Sequence, residues 1–511
     1  PRLAASGSGP VASVLWPAGV LLVSLLLAVL IAQPTTLRLA LGIALVAFFV
    51  ALTSRTPVGT LYFLVVWLAG LGLVRRLATG ISPAGSVDVL LAVGATAIAC
   101  LTVAAAERGT FRNRTVLSHG VLALTVLAFL EAFNPLEGSL FAGLSGLLFV
   151  LVPLLAFWAG RVLCNDRTLT VVLAMVGGLS LVAAAYGHFQ TFQGFPSWDA
   201  AWITQSGYTA LNVGGVIRPF GTFASASEYA TFLGIGVVVW LAFGMRFSRL
   251  VITLAAVSVL VFAIFLVSTR GVVFMLAAGL GLMAAARRGL PAWAAVVTAV
   301  GLIFLLPAAV SWVAPRSAGS GAQSALVAHQ IDGLRDPLDQ KSSSLGEHAT
   351  LVTGGLSQAL THPLGQGIGK VTIAGSKFGG TWANTEADPS NAAVSMGVAG
   401  VVAYAVVAIA GFRRAYQRAV QRRDGLALAG LGVLVITFLQ WLNGGQYAVV
   451  LLPWLVLGWL DRPAAAAPTS TTVAAAAQEP AALPAGLGGG SAATASSGTG
   501  HGGDHTTTDQ D

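Results

Sequence analysis

Two arginines stand in apolar surroundings. In LVSTRGVVFMLAAG, residues 266–279, Arg270 is the only charged side chain among the 37 residues between Arg249 and Arg287. In GVIRPFGTFASASEYATF, residues 215–232, Arg218 lies just ahead of another apolar run. A charge at the centre of a bilayer costs roughly 2.5–3.5 kcal/mol on insertion scales, so an arginine kept there needs a partner or a route to water. A guanidinium stays charged and presents a planar fork that fits phosphate oxygens two at a time. The chemistry such a pair supplies is the capture of a phosphate or diphosphate. The bland alternative is that each arginine snorkels to lipid headgroups. Four further residues are candidates for removing a proton from a hydroxyl, in falling order Asp388, Glu386, Glu228 and His348. A carboxylate or imidazole at the mouth of such a site can act as a general base. For Glu386 and Asp388, a helix cap or a partner for the helix dipole is an equally good reading.

The elements that must position these residues are membrane helices. Of 511 residues, 56% are hydrophobic and 9% are charged, which is not the balance of a soluble globular protein. Apolar runs of about 17–22 residues recur, each long enough to cross a hydrocarbon core of ~30 Å. They are continuous rather than alternating, which excludes a barrel. Spans are expected at about 11–32, 37–53, 57–74, 86–106, 115–133, 139–160, 168–186, 229–245, 249–267, 271–286, 291–313, 390–411, 426–442 and 446–460. The second, third and last are short and could merge or re-enter, so the range is 12–14. The fold class is therefore all-α, a polytopic transmembrane bundle with one larger extracytoplasmic loop domain at 314–389. The 37-residue run would make a helix of ~55 Å, too long for one crossing, and should break near Ser268–Gly271. Arg270 then reaches the outer surface.

Arginine placement orients the chain. Arg108, Arg112 and Arg114, then Arg161 and Arg167, Arg246 and Arg249, Arg287 and Arg288, and Arg413 to Arg423 all fall on one side. By the positive-inside rule that side is cytoplasmic. Arg75 and Arg76 break the pattern and fall outside. The net charge of +8 is explained by these loops and does not imply nucleic acid. Residues 1–10 form a cytoplasmic N-terminal segment and 11–462 the membrane domain; the Ala, Gly, Ser, Thr and Pro of 463–511 form a disordered cytoplasmic tail.

Other features carry less. Ser225 or Ser227 is placed to cap the helix beginning near Glu228. The glycines of THPLGQGIGK, residues 361–370, lack the flanking strand and helix of a nucleotide loop and read as a flexible cover over the vestibule. Gly397 and Gly400 would let their helix pack closely on its neighbours. Cys100 and Cys164 fall in or beside spans and form no disulfide framework. The tail's GHGGDH, residues 500–505, reads as solvated rather than metal-binding.

The order R-x-x-G-T-F before a span, S-x-R-G between spans, a long outer loop, P-L-G-x-G-x-G and a G-x-x-G helix resembles the bacterial O-antigen ligase and O-antigen polymerase superfamily, over roughly residues 210–411. The resemblance implies an integral-membrane glycosyltransferase in the cytoplasmic membrane, with its active site on the extracytoplasmic face. The implied donor is a polyprenyl-diphosphate-linked glycan and the implied acceptor a glycan or lipid-glycan, for cell-surface polysaccharide. By position, Arg218 and Arg270 match the family's diphosphate-holding arginines. No cofactor is implied, and no acidic cluster with Mg²⁺ spacing occurs. Ligases of the family carry a histidine shortly before the G-x-x-G helix. Here the residues 9 to 11 before Gly397 are Asp388, Ala387 and Glu386, while His348 and His362 come earlier. This favours a polymerase-like or divergent member. A transporter or flippase without catalysis is the reading from another class; the chain shows no internal repeat and little mid-span charge to support it.

Overall fold

The computed structural model describes residues 36–81, 88–206, 211–213, 215–244, 249–313, 322–336, 345–379, 383 and 385–462. The expected segments 1–10, 11–32 and 463–511 lie outside the described residues. Elsewhere the apolar runs become helices nearly where their composition places them. They are α1 (Thr36–Arg55), α2 (Pro57–Ile81), α3 (Val89–Glu107), α4 (Val116–Glu131), α5 (Leu140–Leu163) and α6 (Asp166–Phe192). A short α7 (Ser197–Ser206) and a two-stranded ribbon, β1 (Asn212–Val213) with β2 (Val216–Ile217), follow. Then come α8 (Ala226–Gly244), α9 (Leu250–Val267), α10 (Arg270–Arg288), α11 (Ala292–Val313), α12 (Ala322–Arg335), α13 (Leu345–Thr361) and α14 (Ile373–Lys377). The chain closes with α15 (Asp388–Arg422), α16 (Gly425–Ile436) and α17 (Tyr447–Leu460).

Among the described residues, 10 helices are long and apolar enough to cross a membrane, and α4, α16 and α17 are shorter apolar helices. The protein is an all-α, multi-pass membrane bundle. Capping residues punctuate it. Asp88, Ser139, Asn165 and Asp424 each accept a backbone N–H in the first turn of the helix that follows. Thr115 and Ser118 form a reciprocal capping box. The buried core runs through facing apolar stripes, and α17 is buried along almost its whole length.

The turns sort into two ends. One gathers Asp88 at the start of α3, the α4–α5 and α9–α10 turns, α7, the ribbon, α12 to α14 and the turn from Thr437 to Gln446. The other gathers Arg108, Arg161, Arg288 and Arg422. Ion pairs confirm the second set, since Arg161 meets Asp461 at 2.9 Å and Arg422 meets Asp166 at 2.8 Å.

The described helices of the 314–389 segment belong to the same compact unit as the bundle. They pack on different parts of it, α12 on α9 and α11, α13 on α15, and α14 on α5. Gly397 does more than bring helices together. Its φ of 63° and ψ of −152° break α15, a conformation open essentially to glycine.

Candidate functional site

The long apolar run divides where its length requires. Ser268 takes a left-handed φ of 57° at the end of α9, and Thr269 is extended. Arg270 is the first residue of α10, at the loop-rich end. A cation at a helix N-terminus opposes the helix dipole, so helix stability does not account for it. Its Nη2 donates to the Nε2 of His329 at 2.8 Å and to the His329 carbonyl at 3.3 Å. The guanidinium lies so close over Gly333 that a Cβ there would overlap it. Thus α12 covers Arg270, and glycine is what lets it approach.

Arg218 reaches the same helix from the ribbon. Its N–H donates to the Leu211 carbonyl at 2.7 Å, closing the ribbon, and β2 packs against α12. His329 feels both arginines. Burial first, then the charges of Arg270 and Arg218, push its imidazole below the ordinary value, with Asp332 opposing them. The neutral ring keeps a lone pair on Nε2 for Arg270 to donate to. Polar groups around this point lack partners among the described residues: Ser268 Oγ, Thr269 Oγ1 and both amide atoms of the fully buried Gln330. Such atoms are rare in folded proteins and mark places where a polar ligand fits. Sequence reasoning missed His329 and Gln330, which stand in a helix of mixed polarity with no local signal to single them out.

The turn that carries Arg218 is held by Arg76, one of the two arginines that broke the topology pattern. Arg76 is fully buried, donating to Asp199 at 2.6 Å, to the Gly221 carbonyl at 2.6 Å and to the Phe223 carbonyl. Asp199 also accepts from Tyr186 at 2.9 Å and Gln190 at 2.8 Å. Gln190 in turn accepts from the N–H groups of Phe220 and Gly221 at 3.0 and 2.8 Å. Arg75 binds Asp88 at 2.6 Å and stacks on Trp202. Arg75 and Arg76 therefore lie at the loop-rich end for an internal reason. Positive-inside statistics describe arginines facing solvent, not arginines sealed against carboxylates.

Of the four proton-acceptor candidates, two meet. His348 of α13 hydrogen-bonds through Nδ1 to the Glu386 carboxylate, and both side chains are about half exposed, at 48% each. Glu386 holds a left-handed φ of 66°, and its carbonyl accepts from Gln440 at 2.9 Å. A non-glycine residue in that region stores backbone strain, a condition that clusters at working sites. The Glu386 hydrogen bond raises the His348 pKa, opposed by partial burial.

The other two are buried against the turn before α17 and the start of α17. Asp388, first in the expected order, is buried and accepts from the Trp441 and Leu442 N–H groups and from Tyr404 Oη, the last two at 3.1 Å. It ties α15 to the turn before α17. Glu228 is buried in the first turn of α8 and accepts from the Ala448 N–H at 2.9 Å. Ser225 Oγ caps the Glu228 N–H at 3.2 Å, as the sequence predicts.

The PLGQGIG loop is neither flexible nor a phosphate cradle. Its residues from Gly365 to Gly369 are buried. Gly365 and Gly367 take φ values of 91° and 100°. The N–H groups of Gln366 and Gly367 donate to the carbonyls of Val394 and Ser395 at the α15 break, at 3.0 and 3.2 Å. Gly369 N–H donates to Glu137 at 2.9 Å. Burial raises the Glu137 pKa, with the Gly369 hydrogen bond and Lys370 pulling the other way. The N–H groups of Gly365, Gln366, Gly367 and Gly369 are all spent on protein. His362 takes a local role, with its ring beside Thr361 Oγ1 at 3.0 Å.

Among the described residues no group of three His, Cys, Asp or Glu could hold a metal ion, and GHGGDH lies outside them. In comparison with known proteins, the chain matches no family model and no curated relative.

Proposed function

We propose that this protein is an integral-membrane glycosyltransferase that takes a glycan from a polyprenyl-diphosphate carrier and transfers or polymerises it at the loop-rich end, facing outside the cytoplasmic membrane. The observation that supports this best is the convergence of Arg218 and Arg270, from separate loops, on His329 of one covering helix. Arg270 donates to a neutral imidazole and a carbonyl, with no carboxylate in salt-bridge range among the described residues. An arriving diphosphate gives that charge a better partner. The unpartnered Ser268, Thr269 and Gln330 groups add donors of the kind an anion uses.

In the reaction, the acceptor hydroxyl oxygen forms a bond to the anomeric carbon as the bond from that carbon to the diphosphate oxygen breaks. Negative charge grows on the leaving diphosphate, where fixed arginines stabilise it. The hydroxyl proton passes to His348, with Glu386 holding the imidazole and stabilising its charged form. A base whose pKa sits above that of free imidazole suits work near neutral pH. The family resemblance expects a histidine 9 to 11 residues before Gly397. Glu386 stands there instead, and α13 brings His348 against it in space. Transport is less well supported, since the buried acids Glu228 and Asp388 sit in the first turns of their helices rather than mid-span.

The test is glycan transfer from a purified lipid-diphosphate donor, comparing the wild type with Arg218→Lys and Arg270→Lys. Lysine keeps the charge and loses the fork. Release of carrier diphosphate by the wild type, and its loss in both folded variants, is the expected result. A wild type inert with several donors overturns the reading.

A further inference from the structure

A large cavity in the bundle does not contain the arginine pair. It encloses 930 Å³ between α2, α3, α5, α7, α14, α15 and α17. Neither Arg218, Arg270, His348 nor Glu386 lines it. Part of its lining is apolar, with Leu91, Ile98, Phe141, Leu148, Pro153 and Met396. Part is polar, with Arg75, Asp88, Gln205, Lys377, Asn391 and Asn443.

Charge and depth both define an occupant. Asp88 is shared by Arg75 at 2.6 Å and by the buried Arg38 at 3.5 Å. Lys377 forms no ion pair or hydrogen bond among the described residues. The charged residues lining the cavity are therefore Arg75, Lys377 and Asp88, with Asp88 already shared by two arginines, and the lining favours an anion. Along α3 the lining runs from Asp88 to Ile98, ten residues or about 15 Å. That is half of a ~30 Å hydrocarbon core, the depth of one leaflet. The α5 wall is also uncovered: Phe141 is 74% and Leu148 45% exposed, beside an exposed Leu140. Chains can therefore enter sideways from the bilayer.

We propose that this cavity binds one anionic lipid of the leaflet at the loop-rich end, its phosphate beside Lys377 and Arg75 and its chains along α3 and α5. The site is separate from the arginine pair and does not depend on the transfer reaction. The occupant belongs to the bilayer rather than to solution because the lining is mainly apolar and adjoins the exposed Leu140, Phe141 and Leu148 of α5, where a free phosphate ester gains nothing.

The full chain in nanodiscs is titrated with a photoreactive phosphatidylglycerol against a phosphatidylcholine analogue, and the crosslinked peptides are mapped. Crosslinks on α3 and α5 with phosphatidylglycerol in preference are expected. Lys377→Gln should weaken retention about fivefold, the worth of one lysine near an anionic surface. Ala95→Trp, which fills the depth, should abolish it, with thermal unfolding reporting that each variant folds. Glycerol phosphate at millimolar concentration should not compete. Equal labelling by both lipids, unchanged labelling in Ala95→Trp, or full competition by glycerol phosphate overturns the proposal. Arg270→Lys should retain the lipid even where transfer is lost, so this result and the catalytic one fail separately.

Discussion

Arg76 and Arg270 are both arginines at the same end of the bundle, yet they are handled in opposite ways. Arg76 is sealed against Asp199 and two carbonyls, each drawn from the chain that follows α6. Its charge is fully matched, and its task is to hold the turn that carries Arg218. Arg270 donates to a neutral ring and one carbonyl, over a glycine that lets α12 approach. A matched arginine is a staple; an arginine left with neutral partners is positioned for an anion from outside the chain. The two cannot be told apart by residue type or by hydropathy.

Substitutions sharpen that contrast. Arg76→Met should cost about 3–5 kcal/mol, since it leaves Asp199 buried and uncompensated. Thermal unfolding in detergent reads it, and an unchanged midpoint would remove the staple. Arg270→Lys should lower transfer by about 100-fold, as loss of one donor to a developing anion does. Its unfolding midpoint should match the wild type; a fall like that of Arg76→Met would make Arg270 a staple too. Gly333→Ala should lower transfer by about tenfold to 100-fold, because a displacement on the order of 1 Å of the guanidinium spoils its aim. The variant is informative because alanine otherwise favours α12 by about 1 kcal/mol. Equal or higher activity would mean that the covering helix does not set the fork.

The smallest effect concerns the proton acceptor. Glu386 raises the His348 pKa, so the acid limb of the transfer profile should lie above that of a free imidazole, with activity rising as pH increases through it. Glu386→Gln removes the stabilisation of the imidazolium, and the limb should shift to lower pH. A pH–rate profile measures this. A limb that stays in place assigns the proton to another group.

Much of the fold was legible because hydrocarbon demands it. Every described helix of the bundle lies on an apolar run, and the break at Ser268 follows from a run too long for one crossing. The proton acceptors were less legible. Asp388 and Glu386 are two residues apart at the start of one helix, and sequence ranked first the one that packing buries. Asp388 is consumed by the turn from Thr437 to Leu442, more than fifty residues on, and no local pattern announces that. His348 finds Glu386 only because α13 packs along α15. The glycine loop misled for a related reason. Glycine signals freedom in isolation, but here it gives backbone N–H groups access to the carbonyls exposed by the Gly397 break.

Sequence by itself determined that this chain is a polytopic helical membrane protein, where its helices run, and that Arg218 and Arg270 leave the membrane at the same end. Those properties rest on the cost of burying charge and unpaired backbone in lipid, which each segment meets alone. Tertiary structure decided which charges are matched. It sealed Arg76, Asp388 and Glu228 with partners from distant segments, and left Arg270 facing a neutral histidine beneath α12. Matching depends on distances between segments far apart in the chain, and only packing sets those distances.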